Sequence, residues 1–113
     1  MTDSHNIDST IERLYKTIAG RVDWDPDSSY TAQLLKNGNE KIAQKLGEEA
    51  VEAVVAAVAN DRDAIIRESA DLLYHLLVTW VNSGITPEHV IAELERREGV
   101  SGISEKAARE TVE

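Results

Sequence analysis

The chain has 113 residues, of which 42% are hydrophobic, and its formal net charge is −9. This length allows a single domain over residues 1–113, and the acidic balance argues against a nucleic-acid partner, because phosphate backbones are held mainly by Lys and Arg. The absence of cysteine excludes disulfides and thiolate zinc sites, and no run approaches the roughly 20 apolar residues that a membrane span needs.

Helix-forming residues dominate the sequence, so we expect an all-α fold with four to five helices. The first helix is marked by apolar residues at helical spacing: Ile7, Ile11, Leu14 and Ile18. Gly20 supplies its end, and a loop rich in Pro, Asp and Ser follows over residues 23–29. Ser29 is the expected cap of a short helix that ends near Asn37 and Gly38.

Two long helices are predicted next. The first covers about residues 40–60 with Asn39 as its cap, and the second covers about residues 62–83 after Asn60 and Asp61, which provide both a break and a new N-cap. The expected inner face of the first helix consists of Ile42, Leu46, Ala53, Val54 and Ala57. The second carries a larger apolar set: Ile65, Ile66, Leu72, Leu73, Leu76, Leu77 and Trp80. The short break between them predicts an antiparallel hairpin.

A last helix is predicted after Gly84. Thr86 and Pro87 stand at its N-cap and first turn, and the helix continues to about residue 98, before Gly99. The polar tail over about residues 103–113 either forms one or two further turns or frays.

Five carboxylates in the hairpin carry the strongest functional signal. They are Glu48, Glu49, Glu52, Glu68 and Asp71, and fifteen residues separate Glu52 from Glu68. Helix positions three apart lie about 4.5 Å from each other along the axis, so Glu49 with Glu52, and Glu68 with Asp71, can each reach one ion. We expect these four acids to meet between the two packed helices.

The acids allow two interpretations. Exposed like charges repel by only about 0.2 to 0.5 kcal/mol per pair, so solvated acids on amphipathic helices remain an alternative. Partly buried carboxylates without a cation would instead cost several kcal/mol each. If a cation is bound, Mg²⁺ or Mn²⁺ fits better than zinc, because the chain offers neither cysteine nor a histidine pair here.

Longer segments around the acids resemble a known family over nearly the whole chain. They are Ser29-Tyr30-Thr31, Leu34-Leu35, Gly38, Lys45-Leu46-Gly47-Glu48-Glu49-Ala50, Glu52, Ala70-Asp71-Leu72-Leu73-Tyr74-His75-Leu76-Leu77 and Leu94-Glu95-Arg96-Arg97. Together they resemble the phosphoribosyl-ATP pyrophosphohydrolase family, within the MazG-like all-α nucleotide pyrophosphohydrolases. Arg67 departs from the acidic or neutral residue expected before Glu68 and leaves the four acids intact.

The resemblance implies a MazG-like helical bundle and a reaction. The reaction is hydrolysis of phosphoribosyl-ATP to phosphoribosyl-AMP and pyrophosphate, the second step of histidine biosynthesis. The E-x-x-E and E-x-x-D elements of the superfamily correspond to Glu49 with Glu52 and to Glu68 with Asp71, which are therefore the expected ligands of Mg²⁺ or Mn²⁺. The cation would stabilise the charge of the departing pyrophosphate.

Two neighbouring side chains have open roles. Glu48 either positions or deprotonates the attacking water, or is a solvent-facing helix acid. Lys45 either contacts a substrate phosphate, neutralises the acids, or forms an ordinary i,i+4 salt bridge with Glu49.

Residues outside the acid turns are candidates for other contacts. Tyr30 and Thr31 belong to the family-specific segment and are candidates for binding the phosphoribosyl-adenine end of the substrate. His75, four residues after Asp71, is either a hydrogen-bond partner of that carboxylate or a packed helical histidine.

The sequence also bears on oligomeric state, on location and on the alternative functions. The second hairpin helix is apolar over more than one face, which favours a homodimer. The polar N-terminus lacks the features of a signal peptide, so we expect a cytoplasmic protein with a nucleotide substrate and no membrane partner. The alternatives to the phosphoribosyl-ATP enzyme are a house-cleaning MazG-like nucleoside triphosphate pyrophosphohydrolase and a non-catalytic acidic helical dimerisation module.

Overall fold

A computed structural model describes residues 6–98, which form five α-helices and no strand. The helices are α1 (Ile7–Ala19), α2 (Tyr30–Asn37), α3 (Asn39–Ala59), α4 (Arg62–Ser83) and α5 (Pro87–Arg97). The predicted all-α fold is therefore confirmed. The expected stop at Gly99 and the tail after Ser104 lie outside the described residues. None of the five helices is both long and apolar enough to cross a lipid bilayer.

Side-chain caps fix most helix starts as the sequence predicts. Ser29 accepts a hydrogen bond from the amide of Ala32, and Asp61 caps α4 in the same way. Thr86 begins α5 with a capping box, in which the His89 side chain accepts from the Thr86 amide. These contacts satisfy amide groups that have no partner inside their helix.

The predicted cap at Asn39 is wrong. Gly38, with a φ of 92°, both ends α2 and precedes α3, so Asn39 is already the first residue of the helix. Its side-chain oxygen instead accepts a hydrogen bond from Asn82 Nδ2 at 3.3 Å. That contact ties the start of α3 to the end of α4.

The hairpin of α3 and α4 is the central element of the fold. Asn60, in the left-handed region with a φ of 54°, and the cap Asp61 form the whole connection, so the two helices run antiparallel. The core lies where α1 and α2 pack against this hairpin. Its fully buried large residues are Ile18, Leu34, Ile42, Leu77 and Val78.

The expected inner face of α3 is correct at Ile42, half-buried at Leu46 and Ala53, and wrong nearer the end of the helix. Ala56 is buried there, whereas Val54 and Ala57 are exposed. Successive helix residues point about 100° apart, so burial of Ala56 directs the neighbouring valines away from the core. Four exposed valines follow one stripe of α3, and we call them the valine face: Val51, Val54, Val55 and Val58.

Candidate active site

Three of the four predicted ligands come together between α3 and α4. One carboxylate oxygen of each of Glu49, Glu68 and Asp71 lies within 4.8 Å of the other two. Glu49 projects from α3, whereas Glu68 and Asp71 project from α4 one turn apart. Glu49 and Glu68 are half-buried and Asp71 is exposed. This separation is short enough for the three acids to share one cation.

Glu52 lies beside this group without joining it. Its side chain is exposed, and its carboxyl is close enough to Glu49 to share a hydrogen bond. It also lines a cavity of about 300 Å³ together with Glu68 across the hairpin. The spacing therefore places Glu52 at the mouth of the site rather than among the converging oxygens.

Within residues 6–98, no Lys or Arg forms an ion pair with the three converging carboxylates. Burial raises the pKa of Glu49, and the neighbouring negative charges of Glu52 and Asp71 raise it further. Oε1 of Glu68 is buried and has no hydrogen-bond partner among residues 6–98. A buried carboxylate oxygen without a partner is costly. The donor set, all carboxylate oxygen, therefore fits a hard divalent cation such as Mg²⁺ or Mn²⁺.

Lys45 pairs with Glu48 and not with the cluster. Its Nζ donates to Oε1 of Glu48 at 3.0 Å, and Gln44 Nε2 donates to Oε2 of Glu48 at 2.8 Å. The hydrogen bonds from Gln44 and Lys45 lower the pKa of Glu48, and the same contact with Glu48 raises the pKa of Lys45. Of the alternatives left open for Lys45, the i,i+4 bridge to Glu49 is not formed, and an i,i+3 bridge to Glu48 takes its place.

A groove runs along this side of α3. It has a volume of about 610 Å³ and is open to solvent. Its lining comprises Lys45, Gly47, Glu48, Glu49, Val51 and Glu52. The groove therefore connects the Lys45–Glu48 pair to the converging acids.

His75 links the acidic cluster to α2. It is buried, with 7% of its surface exposed, and its Nδ1 lies 2.8 Å from the main-chain oxygen of Asp71. It therefore contacts the backbone of that residue and not its carboxylate. Its other nitrogen, Nε2, lies 3.4 Å from the hydroxyl of Tyr30.

Tyr30 and Thr31 face different surroundings although they are adjacent. Tyr30 is half-exposed and contacts His75, whereas Thr31 is buried and forms a hydrogen bond with the hydroxyl of Tyr74. Burial raises the pKa of Tyr74, an effect that this hydrogen bond from Thr31 partly opposes. Of the two predicted binding residues, only Tyr30 offers a free surface.

Two residues that sequence reasoning did not single out for the site, Tyr74 and Arg21, contact Tyr30 and Ser29. Tyr74 is stacked against Tyr30; its sequence signals are its place in the segment over residues 70–77 that resembles the family and its position one turn after Asp71. Arg21 lies over the ring of Trp24 at 4.0 Å and donates to Ser29 at 3.4 Å. The sequence does not mark Arg21 as a site residue, because it adjoins a loop that has no helical periodicity.

Comparison with known proteins gives a consistent set of similarities. A family model described as phosphoribosyl-ATP pyrophosphohydrolase matches residues 11–98. A phosphoribosyl-ATP pyrophosphatase of Gluconobacter oxydans (strain 621H) is 56% identical over 99 residues, which cover 88% of this chain and 74% of the relative. The protein of that name from Paramagnetospirillum magneticum (strain ATCC 700264 / AMB-1) is 58% identical over 99 residues, covering 88% and 91%. One from Azospirillum brasilense is 52% identical over 103 residues, covering 91% and 93%.

Proposed function

Because the chain belongs to the phosphoribosyl-ATP pyrophosphohydrolase family, we propose that it hydrolyses phosphoribosyl-ATP to phosphoribosyl-AMP and pyrophosphate, a step of histidine biosynthesis. The observation that carries this proposal is the convergence of Glu49, Glu68 and Asp71 within 4.8 Å. A substrate with several phosphates would be repelled by such a group unless a cation intervened.

The same three carboxylates would hold the cation, with Glu52 at the mouth of the site as a fourth candidate ligand. Mg²⁺ is the ion we propose, and Mn²⁺ suits the same oxygen ligands. When bound, such an ion stabilises negative charge on phosphate oxygens and on the departing pyrophosphate. The buried, unpartnered oxygen of Glu68 supports this assignment.

Glu48 is proposed to orient the attacking water. A side chain that accepts protons during a reaction works best with a pKa near the working pH. The hydrogen bonds from Gln44 and Lys45 lower the pKa of Glu48 and so weaken it as a proton acceptor. A carboxylate held ionised at the edge of the groove is better suited to fixing a water molecule by hydrogen bonding.

Lys45 and Tyr30 are the proposed substrate contacts. Lys45 lines the groove. Its ammonium group can bind a substrate phosphate while it keeps its ion pair with Glu48. Tyr30 presents an exposed aromatic ring on which a base can stack. Thr31 forms a hydrogen bond with the hydroxyl of Tyr74 and so supports the ring against which Tyr30 stacks.

A comparison of substrates tests the reaction. We expect Mg²⁺-dependent release of pyrophosphate from phosphoribosyl-ATP, abolished by EDTA, with much slower release from ATP and dCTP. A preference for ATP or dCTP would replace the proposal with a house-cleaning triphosphate pyrophosphohydrolase. Failure to hydrolyse any of the three would favour a non-catalytic module.

The proposed assembly is a homodimer. The valine face follows a helical stripe on α3, and Val58 is 83% exposed. An exposed apolar stripe of this kind marks an interaction surface. We expect Val55→Asp to convert a dimer into a monomer in light scattering after size exclusion. Val22→Asp, at a similarly exposed valine in the loop after α1, is the matched control and should leave the dimer intact. A Val55→Asp protein that stays dimeric would remove the valine face from the interface.

A further inference from the structure

We propose that His75 is a positioning residue, which acts on the nucleotide by holding Tyr30 beside the acidic cluster. This inference rests on the proposed function and assigns a role that sequence spacing left open. His75 lies one turn after Asp71 on α4, and Tyr30 begins α2, 45 residues away along the chain. The side chain of His75 thus joins two helices at the level of the site.

The hydrogen-bond partners of the ring determine its tautomer. The main-chain oxygen of Asp71 can only accept a hydrogen bond, so Nδ1 of His75, 2.8 Å away, carries the hydrogen. In the neutral ring Nε2 is then an acceptor. The hydroxyl of Tyr30, 3.4 Å from Nε2, is therefore the donor. The chain of contacts runs from Tyr30 through His75 to the backbone of Asp71.

Ring packing fixes Tyr30 on the same side. Its centroid lies 6.4 Å from that of Tyr74 at an interplanar angle of 23°, and 6.2 Å from that of His75 at 74°. The rings of Tyr74 and His75 are themselves perpendicular, with centroids 4.9 Å apart. These separations lie in the range of favourable aromatic contacts. The inner side of Tyr30 is therefore held, while 49% of its surface remains exposed.

The position of Tyr30 relative to charged groups indicates what its exposed side faces. Its hydroxyl is close enough to Lys45 to contribute to the raised pKa of that lysine, and its partner His75 lies against the main-chain oxygen of Asp71. Tyr30 therefore lies within electrostatic reach of Lys45 and is joined through His75 to Asp71, one of the three converging acids. A nucleotide whose phosphates lie at the acids would have its base within reach of this ring.

Kinetics of paired variants tests whether His75 acts through Tyr30. His75→Asn keeps a donor for the Asp71 carbonyl and loses the acceptor for Tyr30, while Tyr30→Phe loses the hydroxyl. We expect each to raise KM for phosphoribosyl-ATP about three- to tenfold, the range of one lost hydrogen bond, with kcat changed less than about twofold. The double variant should raise KM no more than either single one, because both remove the same contact. His75→Gln, whose side-chain oxygen can accept from Tyr30, should recover most of the loss.

A matched control and an activity-independent readout complete the experiment. His89→Asn is the same substitution at the α5 cap and should leave KM unchanged. Nitrogen NMR of the imidazole should show the Nδ1-protonated tautomer of His75 and a changed Nε2 resonance in Tyr30→Phe. This spectrum needs no turnover, so an inactive wild-type chain would refute the proposed function while the spectrum still tests the contact. An Nε2-protonated tautomer, or KM effects that multiply in the double variant, would overturn the role of His75.

Discussion

Two glutamates on different helices show how unevenly the chain neutralises its acids. Glu93, on α5, accepts hydrogen bonds from Arg96 and Arg97 at 2.8 to 3.1 Å, and these partners lower its pKa to about 2. Glu49, on α3, has its pKa raised by burial and by neighbouring carboxylates. Both glutamates are partly buried, yet within residues 6–98 two arginines pair with Glu93 and no Lys or Arg pairs with Glu49.

The difference indicates what the site lacks. Among residues 6–98, no Lys or Arg forms an ion pair with Glu49, Glu68 or Asp71. The lysine within reach, Lys45, is engaged by Glu48. The carboxylates of the candidate site therefore lack the positive partners that Glu93 has. A bound cation would supply the missing positive charge.

The largest expected effect is the loss of activity when an acid of the candidate metal site is neutralised, compared with the same change on α5. Asp71→Asn should reduce Mg²⁺-dependent hydrolysis by at least about 100-fold, since even the loss of a group that supports a metal ligand reduces metal affinity or activity about 10- to 100-fold. Glu93→Gln, which removes an equal charge from α5, should keep nearly full activity. Initial rates of pyrophosphate release at saturating Mg²⁺ measure both. Equal losses in the two variants would mean that only overall charge matters.

Stability with and without cation gives the next effect. At about 100 times its Kd, Mg²⁺ should raise the free energy of unfolding by about 2.7 kcal/mol, which urea denaturation can measure. Glu68→Gln should lose most of this gain, and in EDTA it should be no less stable than the wild type, because its buried oxygen has no partner to lose. Glu93→Gln should retain the gain. Equal stabilisation by NaCl at matched ionic strength would show simple screening instead.

A smaller effect is expected from two glycines. Gly47 lies within α3 and lines the groove, and an added Cβ there would meet no atom within 4 Å. Gly47→Ala should therefore raise stability by about 0.5 to 1 kcal/mol, while its methyl group narrows the groove and slows hydrolysis. Gly84→Ala should lose about 1 to 2 kcal/mol, because its φ of 71° disfavours a side chain. A less stable Gly47→Ala protein would show that the groove is filled by a second chain.

Local signals explain why most of the fold was predictable. The caps Ser29, Asp61 and Thr86 form their bonds within three residues, so the sequence contains all that determines them. The prediction of Asn39 as a cap is wrong because Gly38 alone connects the two helices, which the spacing of the sequence does not reveal. Helix bounds follow from such local interactions more than helix packing does.

The candidate site was predictable only in part, for a related reason. The spacing of the acids and the two-residue turn together bring Glu49 to Asp71 and Glu68. Whether Lys45 pairs three or four residues ahead is decided by small energies, about 0.2 to 0.5 kcal/mol, that spacing does not resolve. The contact between Tyr30 and His75 joins residues 45 apart and depends on how α2 packs on α4.

The smallest expected effect concerns acid stability and tests the other side of the comparison. Glu93 has a folded-state pKa of about 2 against an ordinary value of 4.5, so the unfolded chain takes up its proton first as the pH falls. Its stabilising contribution is therefore complete above pH 4.5 and is lost between pH 4.5 and about 2. Glu93→Gln should be less stable than the wild type at pH 7, and the difference should vanish towards pH 2 in urea titrations. Glu95→Gln, on the same helix but without a recorded ion pair in residues 6–98, should show no such convergence. If the Glu93→Gln difference is the same at both pH values, the arginines do not stabilise the ionised acid, and the contrast in charge pairing between Glu93 and Glu49 has no energetic consequence.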